Sequence, residues 1–345
     1  MLIEIKNKIE NEIRGYIALT DNVYRLRRIS PLLLKCIKEF ITRKGKRVRP
    51  ILFVIGYMGF SGKEAPGLYR SALSMELLHD FMLVHDDIID KSDTRRGRPS
   101  MHKMLNDYLR GWRKRKFSGE DLGIVIGDVI YALGLNAFLE IKEDGKRKEA
   151  ALKKLIEAAL FTGSGEFIEL LYGLKDIKDI TREDIYKVYD YKTACYTFAA
   201  PLTIGATLAG ADQSQIDKLF RYGICLGRAF QIKDDIHGMF SEEKETGKSS
   251  LTDLQEAKKT ILIWYAYNHS NSKNKARMKN IMLKSNISLA DLHKMREIIA
   301  MSQALDFAGR EIEQLIKKAR ALINSSGLIP RYRDLLSSYS KEMLS

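Results

Sequence analysis

The sequence predicts an all-α protein made of one large domain, residues 1–345. Three observations support this prediction. Apolar residues recur at three- and four-residue intervals along most of the chain, strand-like alternation is scarce, and there are only 6 prolines in 345 residues. No Gly/Ser-rich linker divides the chain, although this length would also allow two smaller domains.

The predicted helices follow one another with short polar breaks. The periodic segments are 32–41, 71–89, 124–141, 153–172 and 218–236, and the breaks are 44–46, 61–63, 96–99, 118–120 and 246–248. Thr181 precedes acids at 183 and 184, which is typical of a helix N-cap. Amphipathic helices are expected from about Ser270 onward.

The longest uncharged stretch, 193–211, contains Pro201 and two glycines. This composition favours a buried helix pair or a bent core helix, so we expect no transmembrane segment. The N-terminus is charged throughout and has no apolar core, which argues against a secretory signal.

The net charge indicates which classes of partner the protein could bind, and the cysteine content indicates the redox compartment. The net charge is +14 and the pI about 9.4, which favours phosphorylated small molecules, nucleic acid or an anionic membrane as partners. The 3 cysteines lie far apart without a CxxC spacing, so a disulfide framework or zinc site is not expected and a cytoplasmic location fits. The basic segment 106–122 is interpreted as a surface loop, with a membrane patch or a partner site as alternatives.

An acidic cluster lies at the end of an apolar helical run. On a helix, Asp86 and Asp90 are four positions apart and Asp87 and Asp90 three, so their carboxylates share one face. Repulsion between them is relieved by a cation, and hard oxygen ligands suit Mg²⁺. The alternative is a solvated acidic face, which the apolar neighbours disfavour.

A second acidic pair, Asp234 and Asp235, follows another apolar helical segment. If the two clusters face one another across a cavity, divalent ions shared between them would bind a diphosphate. Each cluster therefore strengthens the interpretation of the other as a metal-binding site. Three divalent ions are expected.

These residues resemble the trans-isoprenyl diphosphate synthases, the head-to-tail prenyltransferase family, over roughly residues 40 to 260. The motifs are GKRVRP at 45–50, ELLH at 76–79, DDIID at 86–90, RRGRP at 95–99, GEFIEL at 165–170, YKT at 191–193, GRAFQIKDD at 227–235 and TGK at 246–248. The resemblance implies a helical domain around a deep central cavity. It also implies Mg²⁺-dependent condensation of isopentenyl diphosphate with an allylic diphosphate, in a homodimer.

The resemblance also implies a role for each matching position. Asp86, Asp90 and Asp234 would bind the magnesium ions, and Asp87 and Asp235 would support them. Lys46, Arg49, His79 and Arg96 match the isopentenyl diphosphate site. Arg95, Lys192 and Lys248 match the allylic diphosphate site, and Thr193 and Gln231 match positions beside the reacting carbons.

Taken singly, several of these residues have simpler explanations. Lys46 and Arg49 could complement a helix dipole, and His79 alone would suit a structural role. Their common order along the chain, which matches the family, favours a role in substrate binding.

Product length is predicted from the residues before the first acidic cluster. Phe81 and Met82 lie five and four positions before Asp86, where side chains would form the floor of the hydrocarbon pocket. An aromatic residue at the fifth position resembles the pocket floor of short-chain synthases, and with a methionine beside it this resemblance favours the twenty-carbon product, geranylgeranyl diphosphate. Farnesyl diphosphate or a longer polyprenyl diphosphate is the alternative.

Three positions depart from the family pattern. Gly238 replaces a third acid in the second cluster, Glu166 stands where many members have Gln, and Glu169 stands where many have Asp. Gly238 puts little in doubt, because that acid need not bind metal directly.

Other functions fit the sequence less well. A terpene cyclase would not need the isopentenyl site, a non-catalytic regulatory subunit would not need both acidic clusters, and a nucleic-acid binder would need a basic and aromatic groove pattern that the sequence lacks. We therefore expect no nucleic-acid partner.

Overall fold

The computed structural model describes residues 1–114, 116–240 and 252–344. Contacts within the chain group it into two compact units. The first unit is Met1–Leu155 with Ile204–Gly210, and the second is Ile156–Thr203 with Ala211–Ser345. The prediction of one domain over 1–345 remains a prediction.

Most of the described residues are helical and very few are in strands, which confirms the all-α prediction. The elements up to the middle of the chain are α1 Leu2–Tyr24, α2 Leu26–Ile29, α3 Pro31–Ile41, α4 Val48–Ser61, α5 Leu68–Ile89, β1 Thr94–Arg95, β2 Arg98–Pro99, α6 Met101–Leu109, α7 Gly119–Phe138 and α8 Gly145–Leu174. They are followed by a 3₁₀ turn Ile177–Asp179, α9 Arg182–Val188, a π-helical segment Tyr189–Ala199, α10 Ala200–Leu208, α11 Gln213–Phe240, α12 Thr252–Gln255, α13 Ile261–His269, α14 Ser272–Met282, α15 Leu289–Met301, α16 Ala304–Asn324 and α17 Pro330–Leu344.

In the first unit, α5 packs against α4 and α7. After Arg49, helix α4 carries no charged residue, and its buried residues include Leu52, Phe53 and Val54. It ends at Gly62, whose φ of 70° is a left-handed conformation that glycine adopts without steric cost. The break predicted at 61–63 is therefore confirmed.

In the second unit, α11 packs against the π-helical segment and α16. The approach of α11 to the π-helical segment is close. A Cβ atom on Gly227 would lie 2.3 Å from Ala194, so only glycine fits there. Helices α13 to α16 then enclose a core that includes Ile263, Met278 and Ile299.

Local capping agrees with the sequence analysis. Thr181 and Asp184 form a capping box at the start of α9, as do Ser118 and Asp121 at the start of α7. The stretch 193–211 is a buried pair of helical segments, as expected.

Helix α7 is the one helix in the described part of the chain that is long and apolar enough to cross a membrane by length and composition. Buried residues make up 44% of its apolar window. Because core helices of water-soluble domains have this same composition, the observation is weak evidence for a span. The connection between α6 and α7 is exposed at Trp112 and Phe117. It is shorter than the surface loop predicted for 106–122, because 106–109 belong to α6 and 119–122 to α7.

Candidate active site

The first acidic cluster lies at the C-terminal end of α5. Asp90 caps the helix, and carboxylate oxygens of Asp86 and Asp90 lie within 4.8 Å of one another. Asp87 faces inward and is fully buried. Hard oxygen donors at this separation fit a divalent cation such as Mg²⁺.

A two-residue hairpin next to this cluster positions the arginine pair. In the β1–β2 pairing Arg95 faces Arg98, and the turn between them is Arg96-Gly97, with φ of 54° and 70°. Positive φ at both turn residues is typical of a type I′ hairpin. The turn therefore holds Arg96 in an unusual backbone conformation immediately after Arg95.

Arg95 is bound to the acids. Its Nε donates to Asp87 Oδ1 at 2.6 Å, and its Nη2 donates to Asp86 Oδ2 at 3.0 Å. Burial lowers the pKa of Arg95, but the hydrogen bond and the charge of Asp87 outweigh it, so the pKa is raised overall. In this structure Arg95 offsets part of the negative charge that a metal ion would also neutralise.

Arg96 belongs to a buried charge network that the sequence analysis missed. Its guanidinium lies 3.5 Å from both Glu76 Oε1 and Asp80 Oδ1. Arg47, also buried, donates to Glu76 at 2.6 Å and to Glu10 at 2.8 Å. The available signal was the pair of acids at 76 and 80, four apart in an apolar helix.

The network changes proton affinity at two neighbouring residues. Burial, and then the charge of Glu76, raise the pKa of Asp80 to about 8 against the opposing effect of Arg96. Burial and the surrounding guanidinium groups, Arg49 first, lower the pKa of His79 well below its ordinary value. We therefore expect a neutral imidazole at position 79 near pH 7.

The other cations of the predicted isopentenyl site lie close to this network. Arg49 is in the first turn of α4 and half-buried, near enough to act on His79. Lys46 is exposed and follows Gly45. The chain at Gly45 runs close to Arg96, because a Cβ atom added to Gly45 would lie 3.6 Å from Arg96 Cζ. The structure thus gathers Arg49, His79 and Arg96, with Lys46 on the adjacent connection.

In the second unit, Lys192 is held between two acids. Its Nζ lies 2.6 Å from Glu166 Oε2 and is also hydrogen-bonded to Glu169. Both acids lie on α8. Gly165 lets α8 approach the π-helical segment closely, because a Cβ atom at this position would lie only 2.4 Å from the backbone nitrogen of Lys192. The two positions that depart from the family pattern, 166 and 169, are therefore the partners of a predicted phosphate-binding lysine.

A chain of hydrogen bonds connects the other predicted residues of this unit. Thr193 Oγ1 donates to Gln231 Oε1 at 2.8 Å, and Gln231 Nε2 donates to Asp235 Oδ1 at 3.0 Å. Asp235 also accepts from the buried Tyr189 hydroxyl, which accepts from Ile261 N–H at 3.0 Å. Burial and the Asp235 charge raise the pKa of Tyr189 well above its ordinary value, so this hydroxyl keeps its proton.

Asp234 and Asp235 have different surroundings. Asp235 is 6% exposed and bound to Tyr189 and Gln231, whereas Asp234 is exposed. The roles of Asp234 as a metal ligand and Asp235 as a supporting carboxylate remain predictions. Lys248 lies outside the described residues, as does the rest of the 246–248 motif.

The predicted pocket floor lies between α5 and α7. The ring of Phe81 packs against the rings of His85 and of Tyr131 of α7, with centroid distances of 4.7 Å and 5.1 Å, respectively. Phe81 and Met82 are both partly buried. Tyr131 was not predicted, because nothing in the sequence indicates which residue of α7 faces position 81.

The fold and these grouped acids and cations define the class of trans-prenyltransferases. The chain belongs to the polyprenyl synthetase family, whose model matches residues 30–299. That match confirms both the family resemblance and the enzyme class.

Similar proteins agree. A geranylfarnesyl diphosphate synthase from Aeropyrum pernix is 31% identical over 323 residues, covering 92% of each chain. A geranylgeranyl diphosphate synthase from Saccharolobus solfataricus is 29% identical, covering 88% of this chain and 90% of the relative. Among solved structures, the geranylgeranyl pyrophosphate synthase of Corynebacterium glutamicum, complexed with isoprenyl diphosphate and magnesium, has a TM-score of 0.88 at 23% identity, covering 100% of this chain and 99% of that one. This last likeness supports the isoprenoid-synthase type of fold.

Proposed function

We propose that this chain condenses isopentenyl diphosphate with an allylic diphosphate (dimethylallyl, geranyl or farnesyl) to give a short-chain all-trans prenyl diphosphate, most plainly geranylgeranyl diphosphate. The observation that carries the proposal is the cluster at the end of α5, where Asp86 and Asp90 can bind a cation beside the Arg95–Arg96 hairpin. Carboxylates for the metal and guanidiniums for phosphate are the two donor sets that a diphosphate substrate needs.

Magnesium would be held by Asp86, Asp90 and Asp234, with Asp87 and Asp235 in support, and three ions are proposed. When bound, the metal neutralises charge that develops on the departing diphosphate. Asp87 and Asp235 are suited to a supporting role, since each is buried and already bound by a neighbouring side chain.

Cations of the chain would hold both substrates. Lys46, Arg49, His79 and Arg96 are proposed for isopentenyl diphosphate, and Arg95, Lys192 and Lys248 for the allylic diphosphate. The neutral His79 can donate one hydrogen bond without adding charge. The Arg96 guanidinium lies 3.5 Å from a carboxylate oxygen of Glu76 and of Asp80, and these two charge contacts favour its orientation.

The proposed reaction requires that water be excluded from the reacting carbons, and it requires no side-chain base. The allylic carbon–oxygen bond breaks, the double bond of isopentenyl diphosphate attacks the allylic carbon, and a proton leaves, which the departed diphosphate can accept. Thr193 and Gln231 are hydrogen-bonded to each other, so their polar atoms are oriented beside the proposed reaction centre. Apolar side chains exclude water that would capture the cation.

A longer product is the second candidate. The relative from Aeropyrum pernix carries the name of a geranylfarnesyl, twenty-five-carbon, synthase. The ring of Phe81 against Tyr131 favours the shorter product, because two packed rings below position 86 would leave little room for another isoprene unit.

A homodimer in the cytoplasm is also proposed. Helix α8 exposes an apolar stripe, Leu160, Phe167, Leu171 and Leu174, on one helical face. Cys36, Cys195 and Cys225 are all free thiols, which fits a reducing compartment.

The test is incubation with labelled isopentenyl diphosphate, each allylic primer and Mg²⁺, followed by chromatography of the products. Geranylgeranyl diphosphate should dominate. Asp86→Ala and Asp234→Ala should each reduce turnover by about 100-fold or more with unchanged circular dichroism. Turnover that persists in EDTA, or near-normal rates in either variant, would contradict the proposal.

A further inference from the structure

A large groove lies in the second unit, lined by none of the residues assigned to catalysis or substrate binding. Its volume is about 910 Å³, which is within the usual range for small-molecule sites. Side chains from α8, α9, the π-helical segment, α11 and α16 line it. Its apolar surface is formed by Phe161, Tyr191, Phe220, Ile224 and Leu322.

Cations outnumber acids around this apolar surface. The groove is lined by five cations, at 182, 187, 221, 228 and 318, and two acids, at 183 and 190, which leaves a net charge of 5 − 2 = +3. Such an excess attracts an anionic ligand.

Two of the five cations are already neutralised. Arg228 binds Asp190 through two hydrogen bonds of 2.6 Å each. Arg182 binds Glu311, which lies outside the lining.

The other three cations are exposed, and within the described part of the chain they have no ion-pair or hydrogen-bond partner. These are Lys187, Arg221 and Lys318. They come from three different helices, α9, α11 and α16, so their charges surround the groove instead of lining one helix face.

We propose that this groove binds an amphipathic anion, a hydrocarbon chain with a phosphate head group. The chain would lie on the aromatic and aliphatic surface, and the head group would bind Lys187, Arg221 and Lys318. The ligand could be a free prenyl diphosphate or a saturated alkyl phosphate derived from lipid. Only the first of these sources rests on the proposed function.

The groove shares its elements with the proposed active site. The π-helical segment carries Tyr191 in the groove next to Lys192 in the site, and α11 carries Arg228 in the groove and Gln231 in the site. In this segment the Ala200 N–H bonds to the carbonyl of Cys195, five residues back, which is a wide turn often found at functional sites. A bound ligand would therefore alter binding of the allylic substrate.

The first test measures binding of labelled geranylgeranyl diphosphate by equilibrium dialysis in EDTA, which removes the metal contribution to the active site. We expect one EDTA-resistant site per chain. Lys318→Glu should weaken it about tenfold, since one charge-assisted contact becomes repulsive. Lys317→Glu, the adjacent exposed position outside the lining, should leave affinity unchanged.

A second variant tests the apolar surface. Ile224→Trp should fill the groove and weaken binding of both geranylgeranyl diphosphate and hexadecyl phosphate, and circular dichroism should verify that it folds. Tighter binding of the prenyl probe would identify the isoprenoid as the source, and tighter binding of the alkyl phosphate would identify a lipid.

Turnover separates the two proposals. Without added amphiphile, Lys318→Glu should turn over at the wild-type rate, whereas added hexadecyl phosphate should change the KM for the allylic primer in the wild type and in Lys317→Glu only. Absence of EDTA-resistant binding, or equal binding by Lys317→Glu and Lys318→Glu, would overturn the groove proposal. A wild type without turnover would overturn the proposed function and leave the binding result to decide the groove.

Discussion

Asp80 is the most unusual charged residue of the first unit. It is fully buried, its nearest cation is Arg96 at 3.5 Å, and Glu76 adds a second negative charge one helical turn away. A carboxylate in such surroundings is costly when ionised, which is why its pKa rises. Two acids instead of one thereby favour the orientation of Arg96, whose guanidinium lies 3.5 Å from each.

The raised pKa of Asp80 makes stability depend on pH. Because the folded chain holds the proton more tightly than the unfolded chain, stability falls as pH rises from about 4 to about 8, and the full loss is present above that range. Asp80→Asn removes the ionisation. Its stability relative to the wild type should therefore be greater at pH 8 than at pH 5, by about 3 to 4 kcal/mol.

Urea denaturation at the two pH values measures this difference. The exposed Asp179→Asn is the matched control and should show the same relative stability at both pH values. An Asp80→Asn effect that does not change with pH would show that Asp80 ionises like a surface acid.

For single residues, the sequence predicted which acids form the clusters better than it predicted the side chains that contact them. Acids four apart on an apolar helix can be recognised by spacing alone. Tyr189 and Asp235 are 46 positions apart, and the sequence contains no local signal for a contact of that kind. The same holds for Arg47 and Glu10, 37 positions apart.

Among the elements, the pair α5 and α7 determines the surroundings of Phe81. The helices approach closely at Gly127, where an added Cβ would lie 2.4 Å from His85 Nε2. That approach brings Tyr131 against Phe81. The product-length prediction therefore depends on two helices, although it was based on residues of α5 alone.

Phe81→Ala should lengthen the main product by at least one five-carbon unit, because it removes one of two packed rings. Chromatography of the products after complete consumption of primer measures the change. Phe117→Ala, at an exposed ring in the same unit, should leave the product unchanged. An unaltered spectrum for Phe81→Ala would show that this ring does not limit chain length.

The helices themselves were largely predictable, with one exception. Apolar periodicity located α3 and α5 to within three residues, whereas α7, α8 and α11 begin five to eight residues earlier than predicted. The π-helical segment was not predicted, since its five-residue hydrogen bonding leaves no distinct pattern of polar and apolar residues. It depends instead on tertiary contacts such as that between Gly227 and Ala194.

For the whole molecule, the exposed stripe on α8 bears on assembly. Leu160, Phe167, Leu171 and Leu174 are between 45% and 86% exposed. Leaving that much apolar surface in water is unfavourable, and a second copy of the chain would cover it.

Leu171→Glu should dissociate the proposed homodimer, because an unpaired carboxylate would be buried in an apolar interface. The dissociation constant should rise by about 100-fold or more, as measured by analytical ultracentrifugation. Leu283→Glu is the control, since Leu283 is 83% exposed in the turn immediately after α14. A Leu171→Glu protein that remains dimeric would exclude this stripe from the interface.

The ion pairs of Arg95 and Lys192 bear on the proposed binding of the allylic diphosphate. Arg95 is hydrogen-bonded to Asp86 and Asp87, and Lys192 is bound to Glu166 and Glu169. If these cations bind the allylic diphosphate as proposed, its phosphate oxygens compete with carboxylates for each of them. A divalent ion held by Asp86 would weaken the contact of that carboxylate with Arg95, so we expect the ion to strengthen binding of the allylic diphosphate.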